Sequence, residues 1–496
     1  MEGKSSDYFS INQGVAQGCT LSPTLFLIYI NGLLCEIDKH SELGVKFSKN
    51  NLSGLLFADD FVGLAETGSV LQILIDIVHN YSKRWRFEAN VKKCAAVVFS
   101  KTGRLSSPQA RQQGGWVWGD ESLPVLDSYC YLGIEFSSDG SWDKHIKSLI
   151  TRNRQKLGGL YRVLHNFGLD LRTRRHILMA VLRPSLEYGC EVWSANKSQA
   201  KALESIQLRA CKYILGCSVT TCDEPVRADL GLETLKYRRD FRKLKWYRKV
   251  KCMNDERLPF KLLSNEWNKV KTKGRPRKCW LSHVNSLKKE LNLQDKVLEI
   301  KLIKEALDKR ECEEFEMALQ HKSKLRVYKE LKSGVGFEEY LKYVKGPSSR
   351  LLFKFRSGTH GLFEELGRHA KGGGSQECPN CGACKESVEH VLFECASYDS
   401  QRQNFLDYMK QTLTPQAFEA FIHSSIFDKA VFCLGEKQGT LINDECSSWY
   451  NRVGDFLMSV WDRRKEILYG NGLVGEVRQN NPTPECEVNG TECYDC

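Results

Sequence analysis

The spacing of apolar residues divides the chain into an N-terminal part that mixes strands with helices and a longer part that is mainly helical. After a glycine-rich loop, residues 22–37 carry apolar side chains at intervals of three and four. This pattern predicts a buried helix with Ser22 as its N-cap and Pro23 in its first turn. Residues 53–66 predict two strands joined by a tight turn, and residues 69–85 predict an amphipathic helix.

Further strands precede a long helical region. Residues 94–100 predict a strand, and residues 114–140 predict a hairpin followed by another strand and a glycine turn. Apolar positions three and four apart then recur from residue 143 to residue 215. Residues 233–345 are more polar and strongly basic but keep a helical pattern, and glycine-rich loops at 346–375 mark a boundary.

Composition favours a soluble protein with a polyanionic partner. The 496 residues include 20 cysteines and carry a formal charge of +12, which favours a polyanionic partner such as nucleic acid or else an anionic membrane face. Because these cysteines are scattered over a long chain, free thiols in a reducing compartment are expected rather than a disulfide framework. No apolar run approaches the ~18 residues of a membrane span, and residues 1–14 lack the apolar core of a secretory signal. We therefore expect a cytoplasmic and nuclear protein that does not bind a membrane.

Two adjacent acids, Asp59 and Asp60, interrupt the apolar run SGLLFADDFVGLAET. Burying two like charges is costly unless a counter-charge holds them. A turn lets both carboxylates reach one divalent cation, and Mg²⁺ (or Mn²⁺) prefers such oxygen ligands. The alternative is an exposed Asp-Asp turn that holds nothing. Apolar flanks at residues 55–57 and 61–62 favour a buried hairpin and therefore a metal.

Several segments in this order resemble the palm of reverse transcriptases from non-LTR (LINE-type) retrotransposons. GVAQGCTLSPTLFLIYINGLL and LLFADDFVGLA resemble the second and third palm motifs. WRFEANVKKCAAVVFSK is similar to the fourth motif, and SYCYLGIEFSSDGSWDKHI is similar to the primer-grip region. LRPSLEYGCEVW resembles the thumb-like helices of these elements. The resemblance runs from about residue 10 to residue 215 and resumes near residue 350.

The resemblance implies an RNA-directed DNA polymerase that uses two-metal nucleotidyl transfer on an RNA template with a DNA primer or target. It implies that Asp59 is the principal metal ligand, that Asp60 is the second acid of the motif, and that Lys93 lies near the leaving pyrophosphate. The implied floor beneath the nucleotide and template consists of Gly14, Gln17, Gly18, Phe57 and Ala58.

The chain departs from the family pattern most seriously upstream of the glycine loop. Ala16 and Gly32 replace residues common in the family, and both changes are tolerable. The family's third carboxylate lies in a first palm motif, whereas the single aspartate before the loop, Asp7, lacks that context, and we expect the fingers to be absent as well. We therefore expect a truncated polymerase that extends primers poorly. A catalytically inactive remnant that binds nucleic acid through basic helices and a zinc module is the alternative, and an element-derived protein with protein partners is a third reading.

Residues 378–395, CPNCGACKESVEHVLFEC, supply three thiols and an imidazole at the spacing of a structural Zn²⁺ site. Cys378 and Cys381 form a C-x2-C knuckle, and His390 and Cys395 are expected about one helical turn apart. A pair of free thiols remains an alternative, and Cys384 is a competing ligand. The pattern also resembles the C-terminal zinc motif of LINE-type elements, which implies binding of RNA or target DNA.

Residues 235–251, LKYRRDFRKLKWYRKVK, predict a helix with one apolar face and a cationic remainder. Such surfaces bind phosphates without reading sequence. The candidate nucleic-acid-binding residues are Arg238, Arg239, Arg242, Lys243, Lys245, Arg248, Lys249 and Lys251. The alternative is an ordinary solvated helix face. Residues 271–278, KTKGRPRK, add a basic loop or a nuclear localisation signal.

Together these features predict an α+β fold: a partial polymerase palm (antiparallel sheet with helices), a mainly α-helical thumb-like region and a small zinc-binding module. The oligomeric state stays open. The expected divisions are a partial palm at 1–140, a thumb-like region at 141–230, a basic helical region at 231–350, a zinc-binding and helical module at 351–475, and a disordered tail at 476–496.

Overall fold

The computed structural model describes residues 14–40, 42–47, 50–99, 115–166, 168–264, 279–293, 299–369, 374–382, 384–435, 441 and 446–470. The chain divides into two compact units, one of residues 1–147 and 247–283 and the other of residues 148–246 and 284–496. The five-part division expected from the sequence stays a prediction, and the tail at 476–496 lies outside the described residues.

Helices dominate the described residues. The α-helices are α1 (Ser22–Asp38), α2 (Gly68–Trp85), α3 (Asp143–Leu164), α4 (Leu171–Ile177), α5 (Arg183–Glu187), α6 (Lys197–Leu215), α7 (Asp223–Asp229), α8 (Leu235–Lys251), α9 (Leu258–Ser264), α10 (Trp280–Glu290), α11 (Ile300–Gln320), α12 (Arg326–Leu331), α13 (Tyr340–Tyr343), α14 (Gly346–Arg356), α15 (Phe363–His369), α16 (Asp399–Thr412), α17 (Pro415–His423), α18 (Ile426–Leu434) and α19 (Cys446–Gly470). Short 3₁₀ or π turns lie at Val91–Lys93, Leu178–Leu182, Ser323–Leu325, His390–Glu394 and Ala396–Tyr398. Among the described helices, none combines the length and the apolar character needed to cross a membrane.

Strands form antiparallel hairpins, each of two short strands. The pairs are β1 (Val45–Phe47) with β2 (Asn50–Leu52), β3 (Gly54–Phe57) with β4 (Asp60–Gly63), β5 (Val117–Trp118) with β6 (Glu121–Ser122), and β7 (Ser128–Tyr131) with β8 (Ile134–Ser137). The predicted hairpin at 53–66 and the predicted helix at 69–85 are confirmed as β3–β4 and α2. The antiparallel sheet expected for the palm is present as these small separate sheets.

The core of the first unit lies between α1 and α2. Its buried side chains are Ile30, Leu33, Ile37, Leu43, Leu74, Val78 and Tyr81. Leu56 of β3 and Phe61 of β4 pack against this core. Thr67 caps α2, since its hydroxyl accepts a hydrogen bond from the amide of Val70 at 3.3 Å. This packing holds one face of the β3–β4 hairpin against the helices and leaves the other face outward.

The start and burial of α1 differ from the prediction. Ser22 is the first residue of the helix rather than its N-cap, because Leu21 before it already has helical backbone angles (φ −83°, ψ −25°). The Ser22 hydroxyl instead donates to the carbonyl of Ala16 at 2.7 Å and so braces the preceding loop. Leu25 and Ile28 are 52% and 69% exposed, since only one face of α1 meets the core. The helix is therefore amphipathic, and full burial was wrong.

The strand predicted at residues 94–100 is also wrong. In the described part of that segment the only β contact is a single parallel bridge between Ala96 and Val125. An apolar run becomes a strand only when a neighbour pairs with it along its length, and this segment has one such contact. The segment 114–140 forms two hairpins, β5–β6 and β7–β8, where a hairpin and one more strand were predicted.

A buried polar network joins helices of the second unit around Asp229, the last residue of α7. The hydroxyls of Tyr328 and Tyr340 donate to its two carboxylate oxygens at 2.6 and 2.9 Å. Arg356 lies 3.4 Å from the same carboxylate and 2.5 Å from Glu338. Because Asp229 and Arg356 are 0% and 1% exposed, the carboxylate needs a buried counter-charge, and Arg356 supplies it to both Asp229 and Glu338.

Candidate active site and metal centre

The β3–β4 hairpin presents the two acids at its tip. Phe57 and Asp60 are paired across the strands, and Ala58 and Asp59 form the turn between them. Ala58 has a φ of +51°, a left-handed conformation that a non-glycine residue adopts at some cost. Leu56 faces the core, so the alternation of side chains along β3 directs Phe57 to the opposite, outer face.

Both carboxylates are exposed, and the expectation of a buried acid pair was wrong. Phe57 and Leu55 are 63% and 39% exposed, and Asp59 and Asp60 are exposed with them. The apolar flanks did not indicate burial of the acids, because the two-stranded hairpin packs only one of its faces on α1 and α2. Neither acid forms an ion pair or a hydrogen bond with any described residue. Their oxygens therefore stay available to a cation from solution.

The primer-grip-like hairpin and the fourth-motif-like segment meet beside these acids. Tyr129 of β7 donates its hydroxyl to the carbonyl of Lys93 at 2.7 Å. Burial raises the pKa of Tyr129, and the nearby charges of Cys94 and Asp60 raise it further. Burial and the Asp60 carboxylate also raise the pKa of Tyr131. Three segments that lie apart in sequence are thus brought together, with the Lys93 side chain exposed at their border.

The loop before α1 contains two positions whose backbone conformation favours glycine. Gly14 and Gly18 have φ angles of +97° and +86°, a region that disfavours other side chains. Among the described residues, no atom lies within 4 Å of where a β-carbon would stand at either position. Gln17 between them is exposed. The described hydrogen bonds of this loop run to the first turn of α1.

The palm-like part of the chain matches a known family. Residues 1–136 match the family model described as "Reverse transcriptase (RNA-dependent DNA polymerase)". The chain is 24% identical over 244 residues to the RNA-directed DNA polymerase from mobile element jockey of Drosophila melanogaster, covering 47% of this chain and 25% of that protein. It is 33% identical over 141 residues to the retrovirus-related Pol polyprotein from type-2 retrotransposable element R2DM of the same fly, covering 28% of this chain and 13% of that protein. The corresponding polyprotein from type-1 retrotransposable element R1 of Nasonia vitripennis is 24% identical over 229 residues, 44% of this chain and 64% of that protein.

The N-terminal part of the chain matches the reverse transcriptase family, and these similar proteins are polymerases of non-LTR retrotransposons. The chain spans about a quarter of the jockey polymerase and a smaller share of the R2DM polyprotein. These matches confirm the resemblance inferred from the palm motifs, and the family match implies a palm-type fold for residues 1–136. The activity of the whole relatives is not transferred by a match of this extent.

The second unit brings the four predicted zinc ligands together. One ligand atom each from Cys378, Cys381, His390 and Cys395 lies within 4.8 Å of all the others. The sulfurs of Cys378 and Cys395 are 3.9 Å apart, and the sulfur of Cys381 is 3.3 Å from Nε2 of His390. Sulfurs in a tetrahedral zinc site with bonds of ~2.3 Å lie about 3.8 Å apart. Cys384 is exposed and stands outside the group.

Local backbone and a neighbouring acid hold the ligands in place. The amide of Gly382 donates to the carbonyl of Cys378 at 2.8 Å, and Gly382 has a φ of +67°, which closes the knuckle tightly. Nδ1 of His390 lies 3.3 Å from a carboxylate oxygen of Glu394. A carboxylate on one ring nitrogen orients the other toward a metal, so Nε2 faces the thiols.

The basic helix is confirmed as α8, but its cations are mostly engaged within the fold. Arg238 donates twice to Glu187, at 2.7 and 3.0 Å, and Arg242 lies 3.1 Å from the same carboxylate. Lys243 is buried and donates to the carbonyl of Trp193. Arg239 and Arg248 are half-buried, which leaves Lys245, Lys249 and Lys251 exposed. Phosphate binding by this helix stays a prediction, and the loop at 271–278 lies outside the described residues.

Helix α3 was missed as a candidate surface. Its exposed side chains include Arg152, Arg154, Lys156 and Arg162, and no acid occurs between Asp143 and Asp170. This run without acids is visible in the sequence, and it indicates a cationic surface on α3.

Proposed function

We propose that this chain serves RNA-directed DNA synthesis, with Asp59 and Asp60 holding Mg²⁺ at the tip of the β3–β4 hairpin. The observation that carries the proposal is the exposed acid turn, whose carboxylates have no partner among the described residues. Two hard oxygen donors suit Mg²⁺, which binds through one or two carboxylates and completes its shell with water and substrate phosphates. When bound, such ions supply an activated primer hydroxyl and a stabilised leaving group.

The neighbouring residues fit roles around such a site. Lys93, whose backbone is fixed by Tyr129 beside the acids, would carry its positive charge toward the leaving pyrophosphate. Gly14, Gln17 and Gly18 would let template and nucleotide approach the backbone closely. Phe57, beside the turn, offers an exposed ring to a base or sugar.

The metal site also calls for a further acid. Among the described residues, three or more metal-ligating side chains cluster only at Cys378, Cys381, His390 and Cys395. No third carboxylate of the described residues therefore lies close to both Asp59 and Asp60. Fewer ligands weaken the hold on both ions and on the charge that develops in the transition state. With these two acids as the protein ligands, we expect slow primer extension.

Metal-dependent primer extension tests the proposal. The purified chain is given an RNA template, a DNA primer and Mg²⁺ or Mn²⁺, and Mn²⁺ binding is followed in parallel by electron paramagnetic resonance. Asp59→Asn is expected to remove both the slow extension and the Mn²⁺ binding. The control is Asp120→Asn, which removes an exposed acid at the tip of the β5–β6 hairpin and leaves both unchanged. Mn²⁺ binding that survives Asp59→Asn combined with Asp60→Asn would refute the metal site.

A second candidate function is nucleic-acid binding without synthesis, by an inactive remnant. The clustered Cys378, Cys381, His390 and Cys395 favour it, because a Zn²⁺-stapled module holds a binding surface whether or not the palm is active. Salt-dependent binding of RNA or DNA, with no extension and no Mn²⁺ held at Asp59, would support this candidate over the first.

A further inference from the structure

Helix α3 carries positive charge that the rest of the described structure does not neutralise. Arg152, Arg154, Lys156 and Arg162 are all exposed. None of the four forms an ion pair with a carboxylate in the described ranges. Because uncompensated surface cations attract polyanions, one side of this helix is a candidate for phosphate contacts.

Aromatic rings lie among these cations. The rings of Tyr161 and His165 stack at 5.3 Å with an interplanar angle of 18°. Tyr213 of α6 meets Tyr161 edge-on at 4.8 Å, and its hydroxyl accepts a hydrogen bond from Nε of Arg209 at 3.0 Å. Tyr161 is 39% exposed, and Arg209 is exposed beside it. The stack therefore reaches the surface with arginines around it.

Helical geometry places these groups on one side of α3. At ~100° per residue, Arg154, Gly158, Tyr161 and His165 fall within about 60° of one another, and Arg162 borders them. Arg152 and Lys156 fall on the other side of the same helix. From residue 154 to residue 165 the stripe is ~16 Å long at ~1.5 Å per residue.

Glycine in the middle of α3 opens a gap in this stripe. Gly158 lies between the arginine and the aromatic residues, and no atom of the described ranges lies within 4 Å of where its β-carbon would be. Glycine destabilises a helix interior relative to alanine, so its presence needs a reason. Nothing in the described structure packs there, and an external chain would approach the helix backbone closely at this point.

The surroundings of His165 favour the neutral form of its imidazole ring. Burial lowers its pKa, and the positive charges of Arg350 and Arg174 lower it further. The imidazole is therefore uncharged at neutral pH and stacks as an aromatic side chain. The same two arginines extend the positive potential at this end of the stripe.

Residues of α3, the turn after it and α6 form one surface, called here the α3–α6 surface: Arg154, Gly158, Tyr161, Arg162, His165, Arg209 and Tyr213. We propose that the α3–α6 surface binds single-stranded nucleic acid. Bases would add to the Tyr161–His165 stack, and the guanidinium groups of Arg154, Arg162 and Arg209 would bind phosphates. Stacking requires unpaired bases, so a single strand of RNA or DNA is favoured over a duplex. This inference goes beyond the metal site and does not depend on it.

Fluorescence anisotropy with labelled dT₁₂ and rU₁₂ tests the proposal on the full chain without added divalent metal. A duplex of the same length is compared at the same salt concentration. Tyr161→Ala is expected to weaken single-strand binding about fivefold to a hundredfold, the range for loss of one base–aromatic stack. Tyr161→Phe keeps the ring and is expected to stay within about twofold of the parent chain.

Paired charge variants separate the surface from net charge. Arg154→Gln combined with Arg162→Gln is expected to weaken binding and to flatten the slope of log K against log salt by about 1.4, for two lost phosphate contacts. Arg152→Gln combined with Lys156→Gln removes the same charge from the other side of α3 and is expected to keep most of the affinity. Equal weakening by both pairs, equal affinity for the duplex, or unchanged binding by a folded Tyr161→Ala chain would each overturn the proposal. Because no divalent metal is added, a failure of the metal site would leave this readout intact.

Discussion

Replacing Asp229 by alanine is predicted to destabilise the second unit more than any surface acid does. The change removes the acceptor of two tyrosine hydroxyls, held at 2.6 and 2.9 Å, and the counter-charge 3.4 Å from Arg356. Breaking a buried ion pair from one side costs about 3–5 kcal/mol, and each orphaned buried hydroxyl adds about 1 kcal/mol or more. We expect a total near 5 kcal/mol, a large part of the about 5–15 kcal/mol that holds a typical domain folded.

Asp223 in the same helix provides the matched control. Its side chain is 53% exposed and pairs with Lys212 at 2.9 Å. Surface pairs of this kind contribute about 1 kcal/mol or less, so Asp223→Ala is expected to be nearly silent. Urea unfolding followed by circular dichroism at 222 nm measures both variants. A loss below about 1 kcal/mol for Asp229→Ala, equal to that of the control, would refute the view that this network is a buried counter-charge system.

Three further predictions concern the cysteine–histidine metal group, the buried His360 and the arginines that contact Glu187. Cys381→Ser removes one of three thiolates and is expected to weaken the sulfur-to-Co²⁺ charge-transfer band of the bound ion, while Cys384→Ser keeps it; an unchanged band in the first variant would remove Cys381 from the ligand set. Burial and nearby arginines lower the pKa of His360 to about 3. Its protonation therefore opposes folding: stability is full above about pH 6.5 and falls toward pH 3, by about 2 kcal/mol between pH 7 and pH 5. Urea unfolding at the two pH values checks this, and His360→Asn is expected to remove that part of the loss. The Glu187 carboxylate lies 3.2, 2.7 and 3.1 Å from guanidinium nitrogens of Arg183, Arg238 and Arg242. Glu187→Gln leaves these arginines without a full counter-charge and is expected to lower the free energy of unfolding in urea by about 3 kcal/mol or more. A stability equal to that of the parent chain would contradict this.

Local pattern was sufficient for the elements around the acid turn. The alternation of apolar residues on either side of Asp59 and Asp60 predicted the β3–β4 hairpin, and the period of residues 69–85 predicted α2. These elements depend on residues close in sequence, so a short window contains their physical causes. The order of the palm motifs likewise indicated the reverse transcriptase family, which the family match over residues 1–136 confirms.

Burial and pairing were not predictable in the same way. The acid turn is exposed because α1 and α2 cover only one face of its hairpin, a fact of packing rather than of the local sequence. Arg238 and Arg242 of α8 are held by Glu187, about 50 residues earlier in the chain. An ion pair between distant segments leaves no periodic trace, so nothing in the sequence indicated that these two arginines are paired within the fold.

The sequence by itself determined the family, the hairpin with its two acids, the helices and the spacing of Cys378, Cys381, His390 and Cys395. Only the tertiary structure decided that these four ligands meet, that Asp229 is buried among tyrosines and an arginine, and that Tyr161 of α3 stacks beside free cations. The physical reason is the range of the interactions. Propensity, capping and alternation act over a few residues, whereas burial, ion pairing and metal ligation depend on which distant segments the fold places side by side.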